Sequence, residues 1–177
     1  ERIANSFIQH FWNDEKGYLA DFINNNEQSF DVRPNMVIAA AMDHSPLTQE
    51  QNNSILEVAE SELLTPKGLR TLSPKNLSYK GVYQGNQDER DAAYHQGTVW
   101  PWLLEFFVKA YLQIHKKSGL SLVKRLFEGF EEDMTTHGLG SISEIYDGDP
   151  PHNPKGAVSQ AWSVAALLRI NEMIVNF

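Results

Sequence analysis

The chain has 177 residues, 41% of them hydrophobic, and a formal net charge of −8, which is enough apolar material for one core and is not the composition of a disordered chain. Its acids outnumber its scattered lysines and arginines, which argues against nucleic acid or an anionic membrane as partner and for a neutral or cationic ligand. With no cysteine, disulfides and thiolate metal sites are excluded, and the reducing cytoplasm is mildly favoured. No secretory pattern opens the chain and no run of about 18 apolar residues could span a bilayer. One domain over residues 1–177 is expected.

Ile3, Phe7, Ile8, Phe11 and Trp12 fall on one helical face, which predicts a first helix over 2–12, stopped by Asn13-Asp14-Glu15-Lys16-Gly17. That helix is already under way at Glu1, so the chain reads as an excised piece of a longer one. Residues 18–30, with Asn24-Asn25-Asn26 in their middle, read as a small hairpin or an irregular loop. Pro34 suits the first turn of a second helix over 35–43, since its missing N–H would be unpaired there anyway. The run from Met36 to Met42 is apolar all round and predicts burial. Thr48 and Gln51 have capping-box spacing for a third helix over 49–64, whose Ile55, Leu56, Ala59 and Leu63 form one apolar side. Between 65 and 94, Pro66, Gly68, Pro74, Gly81 and Gly85 crowd out any long element. An irregular segment of that length is expected to have a job.

A fourth helix over 96–116 and a sixth over 158–175 carry more apolar surface than one stripe holds. The fifth, over 120–136 and ended by Gly138, is amphipathic. Solvated and enclosed helices thus alternate. The pattern predicts an all-α fold in two layers, with the even-numbered helices inside.

Each enclosed helix follows a run rich in polar and aromatic residues, at 31–35, 83–102 and 143–162. Parallel inner helices would bring these runs to one rim, where helix N-termini point toward a ligand. The candidate cleft is lined by Arg33, Asn35, Tyr83, Gln87, Asp88, Arg90, Asp91, His95, Gln96, Trp100, Glu144 and Asp147. Flat rings, planar donors and carboxylates suit a sugar, whose hydroxyls both donate and accept. Several have a plainer reading. The stretch from Gly140 to Trp162 is either a rigid acid-rich functional loop or a surface turn. Asp91 and His95, four apart, could share a metal or orient a general base, or His95 is a structural histidine. Asp147-Gly148-Asp149 starts like a calcium loop and lacks the later ligands, so no metal is expected. Arg33 meets a ligand or caps the C-terminal carbonyls of a neighbouring helix. Trp100, Trp102 and Trp162 are core or sugar platforms, Trp100 being nearest the loop.

Three stretches carry a family resemblance. They are Arg33-Pro34-Asn35, the run from Tyr79 through Asn86-Gln87-Asp88-Glu89-Arg90-Asp91 and His95-Gln96-Gly97-Thr98-Val99-Trp100 to Trp102, and Ser143-Glu144-Ile145-Tyr146-Asp147-Gly148 with Gln160-Ala161-Trp162-Ser163. Together they resemble the C-terminal glucosidase region of glycogen debranching enzymes, the amylo-α-1,6-glucosidase family. The resemblance implies a glucoamylase-like (α/α)6 toroid of twelve helices, with the six helices here as its second half, inner and outer alternating. It implies inverting hydrolysis of α-1,6-linked glucose on glycogen, limit dextrin or a related α-glucan, without a cofactor. Glu144 takes the place of the general base, in the loop before the last inner helix. The general acid is an aspartate of the missing N-terminal half, so the isolated chain is expected to be inactive. Asp88, Glu89 or Asp91 as a local substitute for that acid is the alternative; they are read instead as sugar or loop contacts. The other reading is a non-catalytic helical module that binds carbohydrate or protein through the same rim. An open half-ring would expose apolar surface on the first and last helices, which favours a homodimer.

Overall fold

The computed structural model describes residues 1–25 and 27–177; the last of the three asparagines, Asn26, lies outside the described residues. Helix α1 (Arg2–Phe11) leads into a hairpin of β1 (Trp12–Asn13) and β2 (Tyr18–Leu19), then a second hairpin of β3 (Phe22–Asn24) and β4 (Glu27–Ser29). Helices α2 (Asn35–Ala41) and α3 (Gln49–Glu62) follow, then β5 (Leu64–Thr65), β6 (Gly68–Arg70), the short α4 (Gln87–Ala93) and β7 (Val99–Trp100). The chain continues through α5 (Leu103–His115), α6 (Leu120–Glu128), α7 (Glu131–Thr136), β8 (Ile145–Tyr146), β9 (Pro154–Lys155) and α8 (Ala161–Val175).

Helix α5 is the centre of the core, packed against α2, α3 and α8. Its Leu104, Phe107 and Val108 are fully buried, and removing a side chain of this kind from water contributes about 1.5–3 kcal/mol. Helix α2 buries Met36, Val37, Ala40 and Ala41, but it ends at Ala41, short of the expected 43, and Met42, expected to be buried with the run, turns extended and is exposed. Helix α3 opens on the expected capping box: Gln51 N–H donates to Thr48 Oγ1 at 3.1 Å, and Thr48 N–H to Gln51 Oε1 at 2.9 Å. The end helices are less enclosed. No residue of α1 is buried, and α8 buries Leu167 and Ile170 while leaving Trp162, Leu168 and Val175 exposed. Among the described residues no helix is long and apolar enough to cross a membrane.

The all-α expectation is overturned. Strands β5 to β9 form a five-stranded antiparallel sheet in sequence order, and the two N-terminal hairpins add two-stranded ribbons. Residues 96–102, expected to begin the fourth helix, cannot do so. Gly97 has a φ of 144°, a conformation open mainly to glycine, and Pro101 supplies no N–H to a helical ladder. Val99 and Trp100 instead pair with Arg70 and Leu69 on one side, and Val99 with Tyr146 on the other. Likewise Trp12 turns extended and pairs with Leu19, ending α1 early. The segment 65–94 is less irregular than its glycines and prolines imply. It holds the β5–β6 hairpin and α4, which has its own capping box from Asn86 and Glu89. The fifth helix is two, α6 and α7, parted at Gly129 and Phe130, and α8 begins three residues inside the expected 158–175 span.

Candidate active site

The sheet assembles the rim. Strand β7 brings the 83–102 run beside β8, which starts immediately after Glu144, and β8 pairs with β9 through Ile145 with Lys155 and Tyr146 with Pro154. The β8–β9 ladder runs on into the loop: Glu144 N–H donates to Ala157 O at 2.9 Å. Ala157 N–H returns a bond to Glu144 Oε2 at 3.0 Å. The tyrosine hydroxyl of Tyr94 donates to Glu144 Oε1, so each carboxylate oxygen is held by one donor. Burial, then the adjacent Glu144 carboxylate, raises the Tyr94 pKa above its ordinary value, and the phenol stays protonated as a donor at neutral pH. Gly156 is required for this approach. Its φ is 68°, and a Cβ there would stand 2.5 Å from Glu144 Oε2.

Arg33 ties three segments together. Its Nη1 donates to Thr71 O at 3.1 Å and to His95 O at 2.8 Å, and its Nη2 to Gln96 Oε1 at 2.8 Å. Neither carbonyl belongs to a helix, His95 lying two residues past the end of α4, so the guanidinium ties loops together here and caps no helix. It also lines a cleft of about 440 Å³, with Asp21, Asn35, His95, Gln96, Trp100, Trp102 and Trp162 among its walls. His95 stacks on Trp100 at 5.4 Å, Trp162 meets Trp100 edge-on at 5.5 Å, and Trp102 stacks on Trp162 at 5.6 Å. Trp100 is only 4% exposed, with its Nε1 donating to Tyr94 O and Thr98 Oγ1. Trp162, at 46% exposure, presents the open ring. Burial, reinforced by the Arg33 charge, lowers the His95 pKa, so its imidazole is neutral at pH 7. Tyr94 links the cleft to Glu144: its ring packs edge-on against both His95 (4.8 Å) and Trp100 (4.9 Å).

The other candidates separate into two groups. Asp147 is buried and braces the loop, its Oδ1 accepting from Tyr83 N–H at 2.8 Å and its Oδ2 from Asn153 Nδ2 at 3.3 Å, with Lys155 Nζ 3.7 Å away. Tyr83 rests against Tyr94 at 5.8 Å. Tyr83, Glu144 and Asp147, expected to line the cleft, stand behind its walls, and Gln87, Asp88, Arg90 and Asp91 stay on α4, outside them as well. Three of the α4 residues are occupied locally: Gln87 Nε2 donates to Asp91 Oδ1 at 2.7 Å, and Arg90 Nη2 to Gln87 Oε1 at 2.9 Å. Asp91 therefore turns to Gln87. Among the described residues no group of three His, Asp or Glu side chains is placed to hold a metal.

Asp21 and Tyr94 are absent from the sequence-derived set. Asp21 carries no motif; it sits between the two hairpins and accepts from Asn35 Nδ2 at 2.7 Å. The signal for Tyr94 is its place next to His95 in the run before Trp100, where an aromatic with a hydroxyl can act as wall and donor at once.

Residues 1–169 match the family described as amylo-alpha-1,6-glucosidase. The chain is 26% identical over 162 residues to the glycogen debranching enzyme of Saccharomyces cerevisiae, an alignment covering 80% of this chain and 10% of that protein. It thus spans about a tenth of the length of that curated relative. Among solved structures it is similar to neutral trehalase Nth1 from Saccharomyces cerevisiae, with a TM-score of 0.66 at 16% identity, over 96% of this chain and 28% of that one. That likeness is one of fold: the helical frame agrees with an (α/α)6 protein, and the sheet is carried on it.

Proposed function

The chain belongs to the amylo-α-1,6-glucosidase family, and we propose that it forms part of a glycoside hydrolase that removes α-1,6-linked glucose from branch points of glycogen or a related α-glucan, with inversion. The observation that carries this reading is the carboxylate of Glu144, held by Tyr94 and Ala157, with the Tyr94 ring packed against His95 and Trp100 of an aromatic cleft. An ionised carboxylate oxygen has two acceptor sites. Tyr94 and Ala157 use one on each oxygen, and one on each is left for a water.

In this reading Glu144 takes a proton from that water as its oxygen bonds to the anomeric carbon. The bond from that carbon to the glycosidic oxygen breaks, and the departing oxygen receives a proton from a general acid. Inverting sites hold the two carboxyl groups about 6.5–9.5 Å apart to leave room for the water. We assign the acid to a part of the natural protein outside these residues, a view supported by the far greater length of the yeast relative. The sugar ring lies on Trp162 and Trp102, and Arg33 and Asn35 address its hydroxyls. The cysteine-free sequence supports a cytoplasmic setting.

The test is to give the complete natural protein isomaltose and limit dextrin and to follow the released glucose by proton NMR. The β-anomer should appear first and then mutarotate. Initial release of the α-anomer would refute inversion, and binding without any release of glucose would favour a carbohydrate-binding module.

A further inference from the structure

Asp21 is a carboxylate to which the proposed hydrolysis gives no task. Two backbone bonds fix its place between the hairpins, from Ala20 N–H to Phe11 O at 2.7 Å and from Asp21 N–H to Ser29 O at 2.8 Å. Its side chain is only 9% exposed, yet it opens into the cleft. Asn35 Nδ2 fills one acceptor on Oδ1. Oδ2 has Arg33 Nε at 3.8 Å, beyond hydrogen-bonding distance.

Arg33 cannot close that gap by turning. Its Nη1 and Nη2 are committed to Thr71, His95 and Gln96, and a second carboxylate, Asp31, stands at the same 3.8 Å from Nε. The guanidinium is therefore balanced between two acids and hydrogen-bonded to neither through Nε. Desolvation raises the Asp21 pKa in spite of Asn35 and Arg33. A residue with only a structural role would be served better by a neutral amide, or by a closer ion pair. What the arrangement leaves is an acceptor oxygen and an N–H donor 3.8 Å apart at the wall of a cleft. One hydroxyl oxygen can sit beside that pair, at about 2.8 Å from each atom, because a hydroxyl donates once and accepts as well.

We propose that Asp21 is a specificity-determining residue, and that one hydroxyl of the bound glucosyl unit bridges this gap, donating to Asp21 Oδ2 and accepting from Arg33 Nε. The proposal rests on reading the cleft as a glucoside site. A sugar lacking that hydroxyl leaves Asp21 Oδ2 without a hydrogen-bond partner, so the cleft selects against the deoxy analogue more strongly than lost contact area would.

The experiment uses the complete natural protein and isomaltose analogues, each lacking one hydroxyl of the non-reducing glucose. The wild-type protein should lose about 10- to 100-fold in kcat/KM at one position, the scale of a hydrogen bond to a charged group. Asp21→Asn, which keeps an acceptor for Asn35, should show a similar loss on isomaltose itself and no additional loss at that same position, while its losses at the other positions match wild type. If Asp21→Asn, with its near-ultraviolet circular dichroism unchanged, gives the wild-type ratios at every position, the proposal is overturned. Should the wild-type protein hydrolyse no glucoside, the hydrolase reading fails, and binding decides the matter for Asp21. Tryptophan fluorescence then follows glucose and its deoxy analogues: Asp21→Asn should weaken glucose and leave one deoxyglucose unaffected. Equal weakening of all of them, or no sugar binding by wild type, overturns the proposal.

Discussion

In α5, Leu104, Phe107 and Val108 are wholly buried and belong to the hydrophobic core; on the rim, Glu144, Tyr94 and Arg33 are half-buried and each is held by identified hydrogen bonds to distant segments. The helical frame gains its stability from area removed from water, which is large and non-directional. The rim gains little stability from its few bonds, each worth about 0.5–1.5 kcal/mol net, but those bonds fix positions to within a fraction of an ångström. Stability and geometry are thus assigned to different parts of one chain, and substitutions in the two parts should fail differently.

The largest effect is expected in the frame. Phe107→Ala should cost about 3–5 kcal/mol in urea unfolding, the usual cost of removing a buried phenyl ring. A cost near 1 kcal/mol would mean that α5 is not the centre of the core. Next comes the joint between frame and sheet. Lys67, in the β5–β6 turn, sits 2.5 Å from Asp133 Oδ2 of α7 and 2.6 Å from Gly129 O. Lys67→Met leaves Asp133 without its cation and should cost about 3 kcal/mol at pH 7. Pairing it with Asp133→Leu in a double-mutant cycle should recover part of that loss.

A smaller stability effect with a larger functional one is expected at Gly156→Ala. The left-handed backbone there costs a non-glycine residue about 1–2 kcal/mol, and the new methyl group displaces Glu144. Turnover should therefore fall further than stability accounts for. Normal turnover in a variant weakened only by the backbone term would show that Glu144 does not need its present position.

The smallest effect has the opposite sign. The pKa of Asp21 is raised in the folded state, chiefly by desolvation, so its contribution to stability is present below the unfolded pKa and lost as pH rises through the folded one. Asp21→Asn stays neutral throughout. It should melt at a higher temperature than the parent at pH 7, and the difference should vanish as the pH is lowered through the carboxylate range. A lower melting temperature at pH 7 would show that the Arg33 and Asn35 contacts outweigh desolvation.

The same division explains what could be read in the amino-acid order. Pro34, the Thr48–Gln51 box and the apolar run of α2 are local signals: the box forms as spaced, Pro34 opens the helix as its N-cap, one residue before the first turn, and the run is buried up to Ala41 and leaves the helix at Met42. The strands are not local. Val99 and Trp100 become a strand through partners at Leu69, Arg70 and Tyr146, and two-residue strands are too short to show alternation. Helix α4 was legible in principle, since Asn86 and Glu89 have capping-box spacing, but the nearby glycines and prolines masked it. At the site, the position of Glu144 before α8 followed from the loop and from the family resemblance. Its partner Tyr94 did not, because the donor is chosen by the sheet's register. Asp21 had no signal at all: an isolated acid between hairpins becomes notable only when the fold sets Arg33 and Asn35 beside it.

The most direct measurement is Glu144→Gln in the complete natural protein, with kcat and substrate affinity determined separately on limit dextrin. In the proposed role of general base, Glu144 should be worth about 10²-fold or more in turnover, with affinity nearly unchanged. Turnover within a few-fold of wild type, in a variant whose circular dichroism confirms its fold, would contradict the assignment of Glu144 as the base.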